Sequence, residues 1–312
     1  MVADAIPVRR PSAQRARKNN ALRARRGLVA WGFALPFVAL FAAFMAGPVV
    51  ASLAMSFTDL RGTDLRNPLG VNLVGLDNYV RLFGDEVFLQ SLQNTAVFVL
   101  GSVPLTIISA LAVALALNRG ITRLRTFFRV GYYLPVVTSI VAVAVVWRFL
   151  LQPDTGVVNS LLRTVGIAGP HWLDDPLFAM PSIIVMTAWR GMGFMMVVFL
   201  AGLQAIPRDV YEAAEIDGAG RWARFRFVTL PMLRPTMLFA VVITSIGQLQ
   251  FIEEPFVMTR GGPLNKTLSL VMLMYEQGFK FWRMGYAAAV AFVLFLIIGA
   301  ATLVQMRLQE KR

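Results

Sequence analysis

Six apolar stretches dominate this chain: Leu28 to Met55, Thr95 to Leu117, Gly131 to Leu151, Met180 to Leu203, Thr236 to Phe256 and Gly285 to Met306. A hydrocarbon layer of about 30 Å needs about 20 apolar helical residues per crossing, so each stretch is long enough to span it. Inside lipid the backbone must satisfy its own hydrogen bonds. The chain is therefore read as an all-α, polytopic integral membrane protein with six transmembrane helices. Composition agrees, because 57% hydrophobic and 15% charged residues with a mean hydropathy of +0.64 lie outside the balance of soluble domains. The first stretch is too long for a signal-peptide core and no convincing small-residue cleavage site follows it, so it is expected to stay as an anchor.

The net charge of +13 invites a nucleic-acid reading until the basic residues are placed along the chain. Eight lie in the N-terminal tail, four between the second and third stretches, five in the insert from 204 to 235 and three at the C-terminus. The other three connections hold three, one and four. Lysine and arginine accumulate on the cytoplasmic side, so both termini and the insert are expected there. The charge is a topology signal drawn to anionic headgroups, and no nucleic-acid motif accompanies it. Residues 1–27 read as a basic cytoplasmic tail too polar to fold by itself, and 28–312 as a single membrane domain without internal repeats.

Several chemistries are excluded. The chain has no cysteine, which removes disulfides and thiol-based metal or redox sites. The four lysines, Lys18, Lys266, Lys280 and Lys311, all lack the Gly-x-x-x-x-Gly-Lys-Ser/Thr context that cradles phosphates. Any ATP and magnesium must then be handled by another polypeptide, and this chain is expected to bind no cofactor and no metal. His171, the only histidine, sits in a polar connection beside Trp172, Asp174 and Asp175 and reads as solvated. No catalytic constellation is present, so the chain is not expected to be an enzyme. The connection from Thr58 to Asn94 is long enough for a short helix or strand pair.

The insert from 207 to 235 is the one charged, glycine-punctuated segment between greasy spans. Pro207 suits the first turn of a helix, where its missing N–H costs nothing, and Asp209 and Glu212 favour the positive end of that helix. Asp217-Gly218 marks a turn, because glycine accepts positive φ without penalty. The pattern resumes as a second helix from about Arg221 to Thr229, closed by Pro231 and Pro235. The result is a helix-turn-helix elbow carrying Tyr211, Ile216, Trp222, Phe225 and Phe227, side chains apolar enough to bury against a partner as well as the bundle.

These residues resemble the permease subunits of binding-protein-dependent ABC importers, marked by a cytoplasmic EAA loop. The matching positions are Glu212-Ala213-Ala214, Asp217-Gly218-Ala219, Phe225, Val228 where isoleucine is usual, and Leu230-Pro231 with Pro235. The resemblance implies the type I importer permease fold and an elbow that docks into an ATPase subunit, with Glu212, Ala213, Ala214, Asp217, Gly218, Ala219 and Pro231 as its coupling residues. It also implies a second permease, two ATPase subunits, an extracytoplasmic solute-binding protein and residence in a bacterial cytoplasmic membrane. Thr259-Arg260-Gly261-Gly262-Pro263 with Thr267, then Tyr275, Phe279 and Gly285-Tyr286-Ala287-Ala288-Ala289, look like the carbohydrate-type permeases of the maltose, lactose and glycerol-phosphate group. So do Leu134-Pro135, Trp147-Arg148-Phe149 and Gly156-Val157-Val158-Asn159. The larger maltose permease adds spans that this chain lacks.

Polar residues within the spans point to a pathway, since burying them in lipid is costly. Arg190 lies ~15 Å into the fourth span and Gln248 ~12 Å into the fifth, at 1.5 Å per residue, so the two share a depth. Gln250, Phe251 and Glu253 continue the polar run, and Trp189 or Phe251 offers a ring for a sugar face. Gln248 and Gln250 lie about 200° apart on a helix, so they cannot both point at one cavity. Interhelix hydrogen bonding is the competing reading of these amides. Glu253 and Glu254 are expected to be wet, within a turn of the outer boundary. A sugar-importer permease is the function favoured; an ion-coupled secondary transporter of a small polar solute, with Glu253 or Glu254 as proton site, is the alternative.

Overall fold

The computed structural model describes residues 30–66, 71–119 and 125–310. The basic tail expected over 1–27 lies outside the described residues. Two compact units emerge, one ending at Ala54 and one running from Met55 onward. Helix α1 (Ala30–Ser56), with a π-helical turn at Ala42–Ala46, makes up the described part of the first unit and ends just past its boundary. Its large side chains, among them Phe33, Phe37 and Phe44, are exposed, as a helix facing hydrocarbon requires.

The second unit opens with a 3-10 turn at Gly62–Arg66 and a short helix α2 (Asp77–Phe83). Among the described residues there is no strand, only isolated bridges such as Thr58 to Leu73. Then come α3 (Glu86–Arg119), α4 (Arg125–Val137), α5 (Ile140–Leu150), α6 (Val157–Thr164) and α7 (Ala179–Gln204). The elbow consists of α8 (Arg208–Ile216) and α9 (Arg221–Arg224), the latter running through a π turn (Phe225–Thr229). The chain closes with α10 (Arg234–Leu249), α11 (Glu253–Met258), α12 (Leu270–Tyr275) and α13 (Met284–Glu310).

Four helices are long and apolar enough to cross a membrane unbroken, and two bent helix pairs pass the same test together. Counting each pair once gives six, in the six expected places. The third crossing turns by 100° between α4 and α5. Pro135 inside α4 withholds a backbone donor and clashes with the preceding turn, the ordinary cause of such a bend. The fifth crossing is bent by 65° between the elbow and α10, and it stops at Leu249 rather than at Phe256. Residues Glu253–Met258 form a separate short helix.

Three buried clusters hold the second unit together. One, at the elbow end, joins α3, α7 and α10 through Ala110, Met196, Phe199, Leu203, Leu233 and Ala240. A second packs α2, α12 and α13 around Phe88, Leu273 and Val290. The third joins α3, α5 and α7 to α11 through Phe98, Ala144, Ile183 and Phe251, with Phe98 and Phe251 stacked at 3.7 Å.

The recurrent glycine and asparagine motifs turn out to be architectural. A Cβ on Gly285 would lie 2.1 Å from the Thr58 carbonyl oxygen. Asn159 donates to the carbonyls of Pro153 and Pro170 at 3.0 and 3.1 Å and accepts from Trp172 Nε1 at 2.6 Å. The segment between α11 and α12 has positive φ at Arg260, Gly261, Leu264 and Asn265. It is pinned by Thr267 Oγ1, which donates to the Gly262 carbonyl at 2.8 Å, and by Asn94 Nδ2, which donates to the Asn265 and Leu268 carbonyls at 2.6 and 3.0 Å.

Candidate functional site

Two places in the second unit carry unusual chemistry, and the elbow is the first. Helix α8 ends in a closed hydrogen-bonded turn: Gly218 N–H donates to the Glu215 carbonyl at 3.1 Å and Ala219 N–H to the Ala214 carbonyl at 2.9 Å. Gly218 sits at φ +77°, so this C-terminal cap needs a residue without Cβ. The Ala-Ala and Asp-Gly-Ala positions of the motif thus build the corner itself. The Arg224 guanidinium pairs with Glu215 at 2.9 Å, fastening α9 to α8. Tyr211 packs on the elbow-end core, and its hydroxyl lies 3.1 Å from Thr229 Oγ1, which is buried.

What the corner leaves outside is equally specific. Ile216, Trp222 and Phe227 are 87%, 70% and 71% exposed, whereas Tyr211 and Phe225 are half-buried. Glu212 is exposed and takes part in neither ion pair found among the described residues. The capped corner thus leaves large apolar side chains and the Glu212 carboxylate exposed.

The second place is a cavity of about 410 Å³ between the spans, a size ordinary for small-ligand sites. Thr106 of α3, Val136 and Ile140 at the bend, Thr187 and Arg190 of α7, Thr244 and Gln248 of α10, and Gln250, Phe251, Glu253 and Glu254 supply its walls. Close helix crossing permits this arrangement. A Cβ on Gly193 would lie 2.1 Å from the Tyr132 carbonyl oxygen, and one on Gly191 would lie 3.2 Å from Thr106 Cγ2.

Gln248 is 8% exposed. Its Oε1 accepts from Ser102 Oγ at 2.5 Å and its Nε2 donates to Thr106 Oγ1 at 3.3 Å, tying the second and fifth spans together. Gln250 is exposed, and its Nε2 donates to the Ile246 carbonyl at 3.1 Å. Both glutamines nevertheless line the cavity. The helical angle between them does not separate them because the helix ends at Leu249 and Gln250 has already left it. Arg190 shares the cavity with Gln248. Trp189 is half-exposed and packs against Trp147 with ring centroids 5.7 Å apart. Phe251 is 3% exposed with one face covered by Phe98, so it serves as wall.

Glu253 is exposed, but Glu254 is 6% exposed, a correction to the expectation that both are wet. Past the helix end at Leu249, Glu254 sits in the first turn of a separate short helix and lies beside Thr187, whose Oγ1 donates to Glu254 Oε1 at 3.5 Å. Sequence reasoning also passed over Ser102, Thr106, Thr187 and Thr244. One signal was available, since Thr244 and Gln248 stand four residues apart and so share a helix face.

Comparison with known proteins relates the chain to one family. Residues 102–312 match the binding-protein-dependent transport system inner membrane components. The lactose transport system permease protein LacF of Rhizobium radiobacter is 39% identical over 287 residues, covering 90% of this chain and 94% of that one. In structure, the chain resembles a bacterial ABC transporter involved in the import of the acidic polysaccharide alginate, at 25% identity and a TM-score of 0.81 over 94% of this chain and 99% of that one. A second structure, of an alginate ABC transporter in complex with an alginate pentasaccharide-bound periplasmic protein, matches at 26% identity and a TM-score of 0.78, covering 90% and 93%. A multi-pass helical chain with a capped elbow and a polar cavity thus belongs to the binding-protein-dependent transport family, as a carbohydrate ABC importer permease subunit.

Proposed function

We propose that this chain forms one half of a sugar translocation path with a second, unlike permease in a bacterial cytoplasmic membrane. A solute-binding protein delivers sugar to the face opposite the elbow. Two ATPase subunits bind the cytoplasmic face, and one of them receives the elbow, with Glu212 pairing to a basic group there. Both termini lie on that same side, in keeping with the distribution of lysine and arginine. LacF, by its name a lactose permease, supports a small oligosaccharide as cargo.

The mechanism follows from which parts are rigid. Closure of the ATPase dimer moves the docked corner. The cap at Gly218 and the Arg224 to Glu215 pair let α8 and α9 move as one piece, and Thr229, buried next to Tyr211, carries that motion into the fifth crossing. The bend at Leu233 then transmits it to α10, which bears Thr244 and Gln248, so the cavity walls shift and access alternates between faces. ATP and magnesium act in the partner ATPase, outside this chain.

The single observation that carries this reading is the capped corner at Gly218, which leaves Ile216, Trp222, Phe227 and the Glu212 carboxylate exposed. Charge reversal tests it. In reconstituted complexes Glu212→Lys is expected to reduce ATP-driven uptake to background, while membrane insertion and assembly with the second permease stay normal. Uptake and sugar-stimulated ATPase at wild-type rates in that variant would remove the coupling assignment.

A further inference from the structure

Between the elbow and the ends of the spans lie two adjoining cavities of about 450 and 540 Å³. They share Asn118, Leu203 and Tyr211 and so form one crevice. Its cations come from both sides: Arg129 from α4, and Arg208, Arg221 and Arg224 from the elbow. No carboxylate is found among the described residues that line it, although α8 itself carries Asp209, Glu212 and Glu215. Arg224 is offset by Glu215 at 2.9 Å, whereas Arg208 and Arg221 enter neither ion pair found among the described residues.

Cations gathered around one crevice repel each other, and an anion placed between them turns that repulsion into attraction. Guanidinium groups suit a phosphate in particular, because their fixed fork of donors matches paired oxygens. The amides of Asn118 and Gln204 add neutral donors at the same wall. Basic loops are drawn to anionic headgroups anywhere on this face; the crevice gives that attraction a place.

The apolar side of the crevice favours a lipid over a free phosphate. Leu203 and Ile206 belong to the buried cluster at the elbow end, and Leu115 packs against it. Ile108, Ala112 and Leu115 stand at i, i+4 and i+7 on α3 and share one face. Ile108 is 66% exposed and Ala112 is exposed as well. An apolar strip ~10 Å long, at 1.5 Å per residue, thus leads from within the span to the crevice. An acyl chain can lie along such a strip, and a free phosphate makes no use of it.

We infer that this crevice binds the phosphate headgroup of an anionic membrane lipid, which bridges the elbow to the spans. The inference rests on the cytoplasmic placement of the elbow proposed above and not on the cargo. A headgroup held by Arg129 on one side and by Arg208 and Arg221 on the other fastens the elbow to the helices it moves. Coupling should then need anionic lipid.

The test uses the complete transporter, with its second permease, ATPases and binding protein, in nanodiscs of phosphatidylglycerol and phosphatidylcholine with the same acyl chains. Native mass spectrometry after release into detergent reads the lipids that each assembly retains. The wild type is expected to retain phosphatidylglycerol in preference. Arg208→Gln combined with Arg221→Gln should weaken that retention by about fivefold for each arginine removed. Arg226→Gln combined with Arg307→Gln removes the same charge outside the crevice and should leave retention unchanged. An equal fall in this second pair would reduce the effect to general surface charge and overturn the site, as would equal retention of both lipids by the wild type. ATPase stimulation by loaded binding protein separates the two phosphate sources. It should be low in phosphatidylcholine alone, stay low when millimolar inorganic phosphate is added, and recover with phosphatidylglycerol. Recovery with inorganic phosphate would assign the crevice to the free anion and overturn the lipid. Retention is read from the assembly itself, so a transporter that moved no sugar would fail the importer reading without touching this one.

Discussion

The elbow and the cavity are built by opposite rules. In the elbow the backbone is closed by the turn at Gly218, the Arg224 to Glu215 pair fastens its two helices, and apolar side chains such as Trp222 are exposed beside the unpaired Glu212. In the cavity the apolar residues are packed, with Phe251 against Phe98, and polar atoms of Arg190, Thr244 and Glu254 remain open. The contrast suits what each place is proposed to receive. A permanent protein partner can cover apolar area and is bound best by a surface that does not reorganise. A passing hydrophilic ligand needs unpaired donors and acceptors, because those already satisfied internally have nothing to exchange.

The comparison can be broken by experiment, starting where the largest effect is expected. Gly193→Val places branched carbon against the Tyr132 backbone carbonyl, which has no side-chain freedom with which to yield. It should cost several kcal/mol at about the upper end of overpacking penalties and leave little folded permease by fluorescence size-exclusion chromatography. Normal recovery would mean that the cavity wall is far more pliant than its close crossing indicates. Trp222→Ala should weaken ATPase binding by about ten- to a hundredfold, in the range of interface anchors, without shifting the thermal midpoint of the isolated permease. A fall in that midpoint would mark Trp222 as core and erase the distinction between the two regions.

Gln248→Ala strips Ser102 and Thr106 of a partner inside the bundle. Loss of such a buried bond costs about 1–3 kcal/mol, so thermal unfolding in detergent should begin several degrees earlier. An unchanged midpoint combined with lost uptake would move Gln248 from the structural to the ligand-reading set. The smallest effect is expected for Arg224→Ala. Its pair with Glu215 is largely solvent-facing, with side chains 23% and 65% exposed, and such pairs contribute under ~1 kcal/mol and are weakened by salt. Reduced coupling that salt reproduces in the wild type would show that this pair holds the corner for its partner rather than for the fold.

The places where sequence reading ran short share one cause. All six crossings were legible, because hydropathy acts on single residues and their neighbours. Gly218 was legible as a turn for the same local reason. Glu254 was not, since its burial depends on where the chain turns after Leu249 and on Thr187 in another span. Gln248 and Gln250 were separated by an angle that holds only inside a continuous helix. Gly285 and Asn159 in the carbohydrate-type motifs could be named but not explained, because Gly285 meets Thr58 across a long stretch of chain and Asn159 is held by the carbonyls of Pro153 and Pro170 and by Trp172.

The sequence by itself determined that this chain is a membrane helix bundle with a charged elbow that turns at Gly218, since length, hydropathy and motif spacing are local and additive along a chain. Only the tertiary structure decided which polar side chains were consumed in holding spans together and which were left open to a ligand. Hydrogen-bond satisfaction is a property of pairs, and the partners here lie 142 and 146 residues apart for Gln248, and 67 for Glu254.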